Sequence, residues 1–188
     1  IDFIKKRFPS LKPKRILEQG CSVGGSTGFW AKAFPNSKIY AIDIGAGMLR
    51  MAHAKMEKYQ LEVHFSQQNA EHTEFKDNYF DLIISNIMLH ETSTKALANI
   101  MKEGHRILSK GGVMAHMDVP LRNRELSPYM EWYRDWSTHF NHEPFWGTLH
   151  DTDIKKPIVA AGFNKNEVID EMIPDEPGVW WVAGAQKI

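Results

Sequence analysis

The sequence predicts an α/β protein organised around one strand–loop–helix unit, and three observations lead there. The first is the stretch from Arg15 to Thr27, R-I-L-E-Q-G-C-S-V-G-G-S-T. An apolar pair, Ile16-Leu17, runs into Glu18; glycines follow at 20, 24 and 25, then Ser26-Thr27 and an amphipathic run from Phe29 to Phe34, the pattern of a buried strand, a glycine loop and a helix start. The second is that further apolar runs, Lys38 to Asp43 and Tyr79 to Ser85, end in polar residues and alternate with helix-period segments, which reads as an alternating α/β chain. The third is size: 188 residues, 43% of them hydrophobic, carry enough apolar material for the core of one domain.

Composition narrows the function classes. The formal net charge is zero, and no basic stripe is visible, so nucleic acid is not an expected partner. The single cysteine, Cys21, excludes an intramolecular disulfide and suits a reducing, cytoplasmic setting. No apolar run of about eighteen residues and no signal-peptide pattern occurs, so no membrane span is expected. The chain starts at Ile1 without a methionine, which reads as a trimmed piece or the C-terminal part of something longer.

Taken in order, Asp2 to Phe8 is a short amphipathic helix stopped by Pro9 and Pro13. In the glycine loop, Gly20 and Gly24 permit close backbone approach, and the helix beyond offers unpaired N–H groups, so the loop suits a ligand with an anionic or polar end. A dinucleotide fingerprint is broken at Ser22, and no P-loop lysine follows Gly24 or Gly25. Pro35-Asn36 turns the chain into the second strand, Lys38 to Asp43. Asp43 suits two vicinal hydroxyls of a ribose, or else caps the helix Ala46 to Tyr59. The third strand is expected over Leu61 to Ser66, followed by the polar turn Asn69-Ala70-Glu71.

Tyr79 to Ser85 reads as a central strand buried on both faces. Its carboxyl end, Ser85-Asn86-Ile87, is where open α/β sheets bind ligands. His90-Glu91 follows; the imidazole could take a substrate proton or simply order the loop. A helix from Lys95 to Leu108 is expected to end at Gly111-Gly112, and Val113 to Asp118 is the fifth strand. From Val119 to His150 no strand signal appears, but aromatic residues crowd together, Trp132, Tyr133 and Trp136 at helical spacing. Asp151-Thr152-Asp153 opens a last helix running to Gly162; Ala161-Gly162-Phe163 starts a strand to Asp170, and the final strand spans Gly178 to Gln186.

These landmarks together resemble the class I S-adenosylmethionine-dependent methyltransferases. Glu18-x-Gly20 with Gly24 is similar to the family's E/D-x-G-x-G-x-G motif, with Ser22 as a departure. D-I-G-A-G-M-L from Asp43 is similar to D-x-S-x-x-M-L, Asn69-Ala70 stands near Gly-Asp-Ala, Phe80-Asp81 near F-D-L-V, and Arg106 to Gly112 near R-x-L-x-P-G-G. The resemblance runs from about Lys14 to Lys187. It implies a Rossmann-like, seven-stranded, mostly parallel sheet in the order 3-2-1-4-5-7-6, strand seven antiparallel, with helices on both faces. It further implies a single domain over 1–188, with a substrate-covering insertion at 119–150.

The resemblance also implies S-adenosyl-L-methionine as cofactor and S-adenosyl-L-homocysteine as product. Glu18 would anchor the methionine ammonium, and the loop residues Gly20, Cys21, Ser22, Gly24 and Thr27 would wrap methionine and ribose. Asp43 would bind the ribose, Ile44 would lie on the adenine, Asn69, Ala70 and Glu71 would meet the adenine edge, and Ser85, Asn86 and Ile87 would stand beside the sulfonium. His90 is the candidate base. Tyr133, Trp136, Phe145, Trp146 and His150 are the candidate substrate contacts, and the N-terminal helix either closes over the cofactor or caps the sheet. No metal is expected, since strand four ends in Ser85 and Asn86 rather than an aspartate. The implied reaction is methyl transfer to a small-molecule acceptor, closest to the quinone-biosynthesis-like branch. A non-catalytic domain that binds S-adenosylmethionine or S-adenosylhomocysteine stays open, as does a nicotinamide-dependent oxidoreductase.

Overall fold

A computed structural model describes residues 1–120, 127–173 and 180–188. The elements follow in chain order: α1 Asp2–Arg7, β1 Arg15–Gln19, α2 Thr27–Ala33, β2 Lys38–Asp43, α3 Ala46–Lys58, β3 His64–Gln67, β4 Phe80–Asn86, α4 Thr94–Ile107 and β5 Leu108–Asp118. Then come α5 Pro128–Phe140, α6 Trp146–His150, α7 Lys155–Ala160, β6 Val168–Met172 and β7 Trp181–Gln186. One sheet holds all seven strands in the order 3-2-1-4-5-7-6. β7 runs antiparallel to both β5 and β6, and the other pairings are parallel. This is the expected Rossmann-like architecture.

The sheet's position follows from its apolar runs. Ile16 and Leu17 of β1 and Leu82, Ile83 and Ile84 of β4 are all buried, and successive residues enter opposite faces. Leu17 and Ile83 pack with α4 residues Leu97 and Met101, whereas Ile16, Leu82 and Ile84 pack with Ile4 of α1 and Trp30 of α2. β1 lies between β2 and β4, Gln19 pairing with Ile42 and with Ser85. The chain order reverses there, so the carboxyl ends of β1 and β4 border a crevice. Among the described residues no helix is long and apolar enough to cross a membrane.

Several boundaries differ from expectation, each for a local reason. β3 begins at His64 rather than Leu61, because Leu61 N–H bonds back to Met56 O and closes the end of α3. Gly111 and Gly112 do not end α4. That helix stops at Ile107, and both glycines lie within β5, where the register against β4 shifts between Phe80 and Leu82. The carboxyl end of α4 is capped instead from the far terminus. Lys187 Nζ donates to His105 O, Leu108 O and Asn78 Oδ1, each at 2.8 Å, as suits a cation at a helix C-terminus. β6 begins at Val168, not at Ala161; Gly162, with φ 109°, ends the α7 turn, and the Asn164 side chain caps a 3₁₀ turn over Lys165–Glu167. α7 likewise starts at Lys155 rather than at Asp151. The first two residues expected in the final strand, Gly178 and Val179, lie outside the described residues.

One ion-pair network pins the long connection between β3 and β4 to α4. Arg106 donates to both Glu103 oxygens, at 2.6 and 2.9 Å, to Asp77 Oδ1 at 2.6 Å, and to the carbonyls of Phe75 and Thr73. Thr73 N–H and Oγ1 also donate to Glu103 Oε1. Burial alone would raise the Glu103 pKa, but the Arg106 and Thr73 bonds outweigh it and hold it below its ordinary 4.5. A carboxylate depressed in the folded state stabilises fully above its unfolded pKa and loses that contribution as pH falls through the folded value. Arg106→Ala is expected to destabilise by roughly 3 kcal/mol, the scale for leaving a largely buried partner uncompensated. Urea denaturation should also show the gap between wild type and Glu103→Gln shrinking below about pH 4.5; a gap that stays constant to pH 3 would contradict the network's role.

Candidate active site

The glycine loop is shaped by what surrounds it. Gly20 has φ 65°, and a Cβ there would stand 2.6 Å from Met88 Cγ; Gly24 has φ 70° and lies against Ala52 of α3. Ser22, the departure from the family pattern, also has a positive φ of 47°, so it carries a side chain where the backbone favours glycine. Its N–H donates to Asp43 Oδ2 at 2.8 Å, and Gly45 N–H donates to Asp43 Oδ1 at 2.8 Å. Asp43 therefore ties the loop after β1 to the loop after β2.

Glu18 is buried behind the loop, where its two oxygens accept the hydroxyls of Ser26 and Thr27 at the start of α2. Burial pushes its pKa up, and the two hydroxyls pull against that. Cys21 N–H bonds to Ile42 O, and its thiol is buried. Desolvation, and then the charges of Glu18 and Asp43, push that thiol up to about 12, which makes it a poor nucleophile.

A cavity of about 550 Å³ opens in front of these loops. Of the residues named for the cofactor, Gly20, Ser22, Asp43, Ile44, Asn69, Ala70, Glu71 and Ile87 line it, with Met88, Glu91 and Phe145. Two of its walls are apolar side chains left uncovered: Ile44 is 72% exposed and Ile87 38%. Ile87 holds φ 56°, with its N–H on Met117 O. A β-branched residue in that region is strained, and such strain gathers at ligand sites. Asn69 Oδ1 accepts Glu71 N–H at 2.9 Å, and Asn99 holds the Glu71 carboxylate. Glu18, Cys21, Gly24 and Thr27 stand behind this wall rather than on it.

Ser85 and Asn86 face a second, largely apolar cavity of about 620 Å³, together with Ile4, Phe29, Trp30 and Met117. Consecutive residues at the end of β4 thus line different cavities, Asn86 this one and Ile87 the 550 Å³ one. Asn86 Oδ1 and both amide atoms of Gln19 are buried with no hydrogen-bond partner among the described residues. Ser85 Oγ lies 2.8 Å from His116 Nδ1. Complete burial drives the His116 pKa down to about 4, against the pull of Asp118, so the ring is neutral at pH 7.

His90 sits in a 3₁₀ turn after β4, with its side chain only 7% exposed. Its Nδ1 is 2.7 Å from Asp118 Oδ1, while Nε2 is 3.5 Å from Glu91 Oε1 and 3.9 Å from Glu143 Oε2. Asp118 also accepts the N–H groups of Leu89 and Val119. Burial lowers the His90 pKa, but the bond and charge of Asp118, with Glu91 and Glu143, raise it overall. His90 is the expected base; its Nδ1 is bonded to Asp118, its Nε2 faces two carboxylates, and the ring lines neither cavity.

Of the expected substrate contacts, Phe145 reaches the 550 Å³ cavity. Trp146 lies on the His90 ring at 5.7 Å, Tyr133 stands edge-on to Trp146, and Trp136 stacks on Tyr133 and is 41% exposed. His150 is buried beside Leu149. Sequence reading passed over Gln19, Glu143 and the apolar wall from α1 and α2. Only the polar end of β5, His116 to Asp118, signalled the partner of His90.

A family model described as "Methyltransferase domain" matches residues 16–112, just over half of the chain and the part that carries the glycine loop, Asp43, Asn69 and the end of β4. The chain belongs to the class I S-adenosylmethionine-dependent methyltransferases. Among curated relatives of this family, a malonyl-[acyl-carrier protein] O-methyltransferase of Enterobacter lignolyticus is 29% identical over 114 residues, 61% of this chain and 42% of that protein. A demethylmenaquinone methyltransferase of Lactiplantibacillus plantarum is 30% identical over 122 residues, 63% of this chain and 51% of that protein. This chain therefore spans about half the length of such relatives, or less. In fold it is similar to an Aquifex aeolicus SAM-dependent methyltransferase (TM-score 0.68, 19% identity, 100% of this chain and 89% of that one). It is also similar to a Haemonchus contortus phosphoethanolamine N-methyltransferase in complex with S-adenosyl-L-methionine (TM-score 0.73, 16% identity, 99% of this chain and 51% of that one).

The environment of Cys21 gives a direct check on the loop. At pH 8 the folded chain should leave its single thiol unlabelled by an aromatic disulfide reagent, and labelling should appear only on unfolding. Immediate stoichiometric labelling would mean that the loop is open.

Proposed function

We propose that this chain transfers the methyl group of S-adenosyl-L-methionine to a small-molecule acceptor with an apolar body. The observation that carries the reading is the pair of cavities lined by the consecutive residues Asn86 and Ile87 at the end of β4, the first largely apolar and the second with polar anchors. In this reading Asp43 accepts the two ribose hydroxyls; each carboxylate oxygen has a lone pair beyond the one used by Ser22 or Gly45. Ile44 and Ile87 flank the adenine, whose faces would cover their exposed surface. Asn69, Ala70 and Glu71 meet the adenine edge. Glu18 holds Ser26 and Thr27, and it meets the methionine ammonium only if a hydroxyl turns aside.

The sulfonium carries its own leaving group, so the protein's task is to align the acceptor atom in line with the methyl carbon and to exclude water. Ser85 and Asn86 border the acceptor side, and Phe3, Ile4, Phe29 and Trp30 enclose an apolar body. We read α1 as closing over that cavity. We read residues 1–188 as one methyltransferase domain; of the expected insertion at 119–150, residues 121–126 lie outside the described residues, and Phe145 covers the cofactor. The relatives' names, with malonyl-[acyl-carrier protein] and demethylmenaquinone as what they act on, support small acceptor groups. A nicotinamide dinucleotide finds little support: Ser22, its N–H held by Asp43, stands where the pyrophosphate needs a glycine.

The test is incubation with S-adenosylmethionine and a panel of phenols, quinones and acyl thioesters, following release of S-adenosylhomocysteine. Acceptor-dependent release is expected. Cofactor binding without release across the panel would favour a non-catalytic binding domain. Asp43→Ala should weaken cofactor binding by roughly 1–3 kcal/mol, the scale for hydrogen bonds to a charged group, and unchanged affinity would remove Asp43 from the site. Phe29→Ala should raise the acceptor KM several-fold while leaving cofactor affinity alone; a change in cofactor affinity instead would move the acceptor elsewhere.

A further inference from the structure

We propose that His90 Nε2, Glu91 and Glu143 ligate one divalent transition-metal ion, of the zinc or manganese kind, at the rim of the cofactor cavity. The three donor atoms lie within 4.8 Å of one another, with Nε2 3.5 Å from Glu91 Oε1 and 3.9 Å from Glu143 Oε2. An ion held tetrahedrally by nitrogen and oxygen at about 2.0–2.2 Å sets its ligands roughly 3.4 Å apart, so small side-chain shifts would close the set.

Hydrogen bonding accounts for these positions less well. A charged N–H···O bond draws its atoms to about 2.7–2.9 Å, and neither carboxylate is that near. Asp118, fully buried, holds His90 Nδ1 at 2.7 Å. That bond fixes the ring so that Nε2 is presented to the carboxylates, the arrangement of an imidazole ligand backed by a carboxylate. Glu143 Oε2, aimed at the same point, is buried and has no hydrogen-bond partner among the described residues. Three carboxylates surround this one ring, and among the described residues their ion pairs at the cluster all run to His90. A divalent ion between them would satisfy the orphan oxygen and balance the charge. One imidazole with two carboxylates suits zinc or manganese better than magnesium, which prefers oxygen and keeps its waters.

The placement suggests what the ion does. Glu91 follows β4 and lines the cofactor cavity, and Glu143 lies in the α5–α6 connection two positions before Phe145, which lines the same cavity. A shared ion clips that connection to the turn after β4 and holds Phe145 over the cofactor. This differs from the expectation of no metal.

The experiment uses metal ions alone and does not depend on methyl transfer. The chelator-stripped chain is titrated calorimetrically with Zn²⁺, Mn²⁺ and Mg²⁺, and Co²⁺ is added for its visible spectrum. One equivalent of Zn²⁺ or Mn²⁺ should bind at micromolar or lower concentration, and Mg²⁺ at least tenfold more weakly. Glu143→Gln should weaken Zn²⁺ at least tenfold with an unchanged circular dichroism spectrum, and Glu91→Gln, on an exposed side chain, repeats the test if the first variant does not fold. Absence of a saturable single site would overturn the proposal. So would wild-type affinity in the folded variants, which would assign the ion to other histidines.

Discussion

One carboxylate, that of Asp43, sets the shape on which the 550 Å³ cavity depends. It ends β2, and its two oxygens take the N–H groups of Ser22 and Gly45. Backbone donors at the carboxyl edge of a sheet leave the ladder and must find other partners. Asp43 supplies them for two loops at once, which holds the β1 loop open in front of a helix start. The positive φ at Gly20, Ser22 and Gly24 belongs to the same constraint, since the chain must turn sharply to keep those N–H groups within reach.

Around this centre the other polar groups work in layers. Glu18 fixes the start of α2 from behind. The Arg106–Glu103–Thr73 network fixes the connection that carries Asn69 to Glu71. Asp118 fixes the turn after β4 through Leu89 and His90. These three stretches are thus each held by a buried carboxylate, Glu18, Glu103 or Asp118. What those carboxylates leave free are apolar surfaces, Ile44 and Ile87, and a few unsatisfied polar atoms at the strand ends, the features a ligand would cover.

Most of the sheet was legible because its strands are short apolar runs with buried periodicity, and the glycine loop and Asp43 stand at the ends of two of them. The strand order was not legible from periodicity; it came with the resemblance. Boundaries failed where a tertiary contact overrides local propensity. Gly111-Gly112 looks like a helix stop, yet it lies in β5 because Lys187, from the other end of the chain, caps α4. Leu61 looks like a strand start, yet here a local bond decides, its N–H closing α3 on Met56 O. At the site, a residue such as Glu143 carries no signal of its own; only the fold brings it to His90. The surroundings of His90 were hidden for a related reason, since the sequence places it near β4 but does not show that Asp118 and two glutamates surround it.

The most direct measurement is a calorimetric titration of the chain with S-adenosylmethionine, S-adenosylhomocysteine and NAD. Micromolar binding of the first two and none of the third is expected from a cavity built on Asp43, Ile44 and Ile87 with Ser22 blocking a pyrophosphate. Binding of NAD in preference to S-adenosylmethionine would contradict the account.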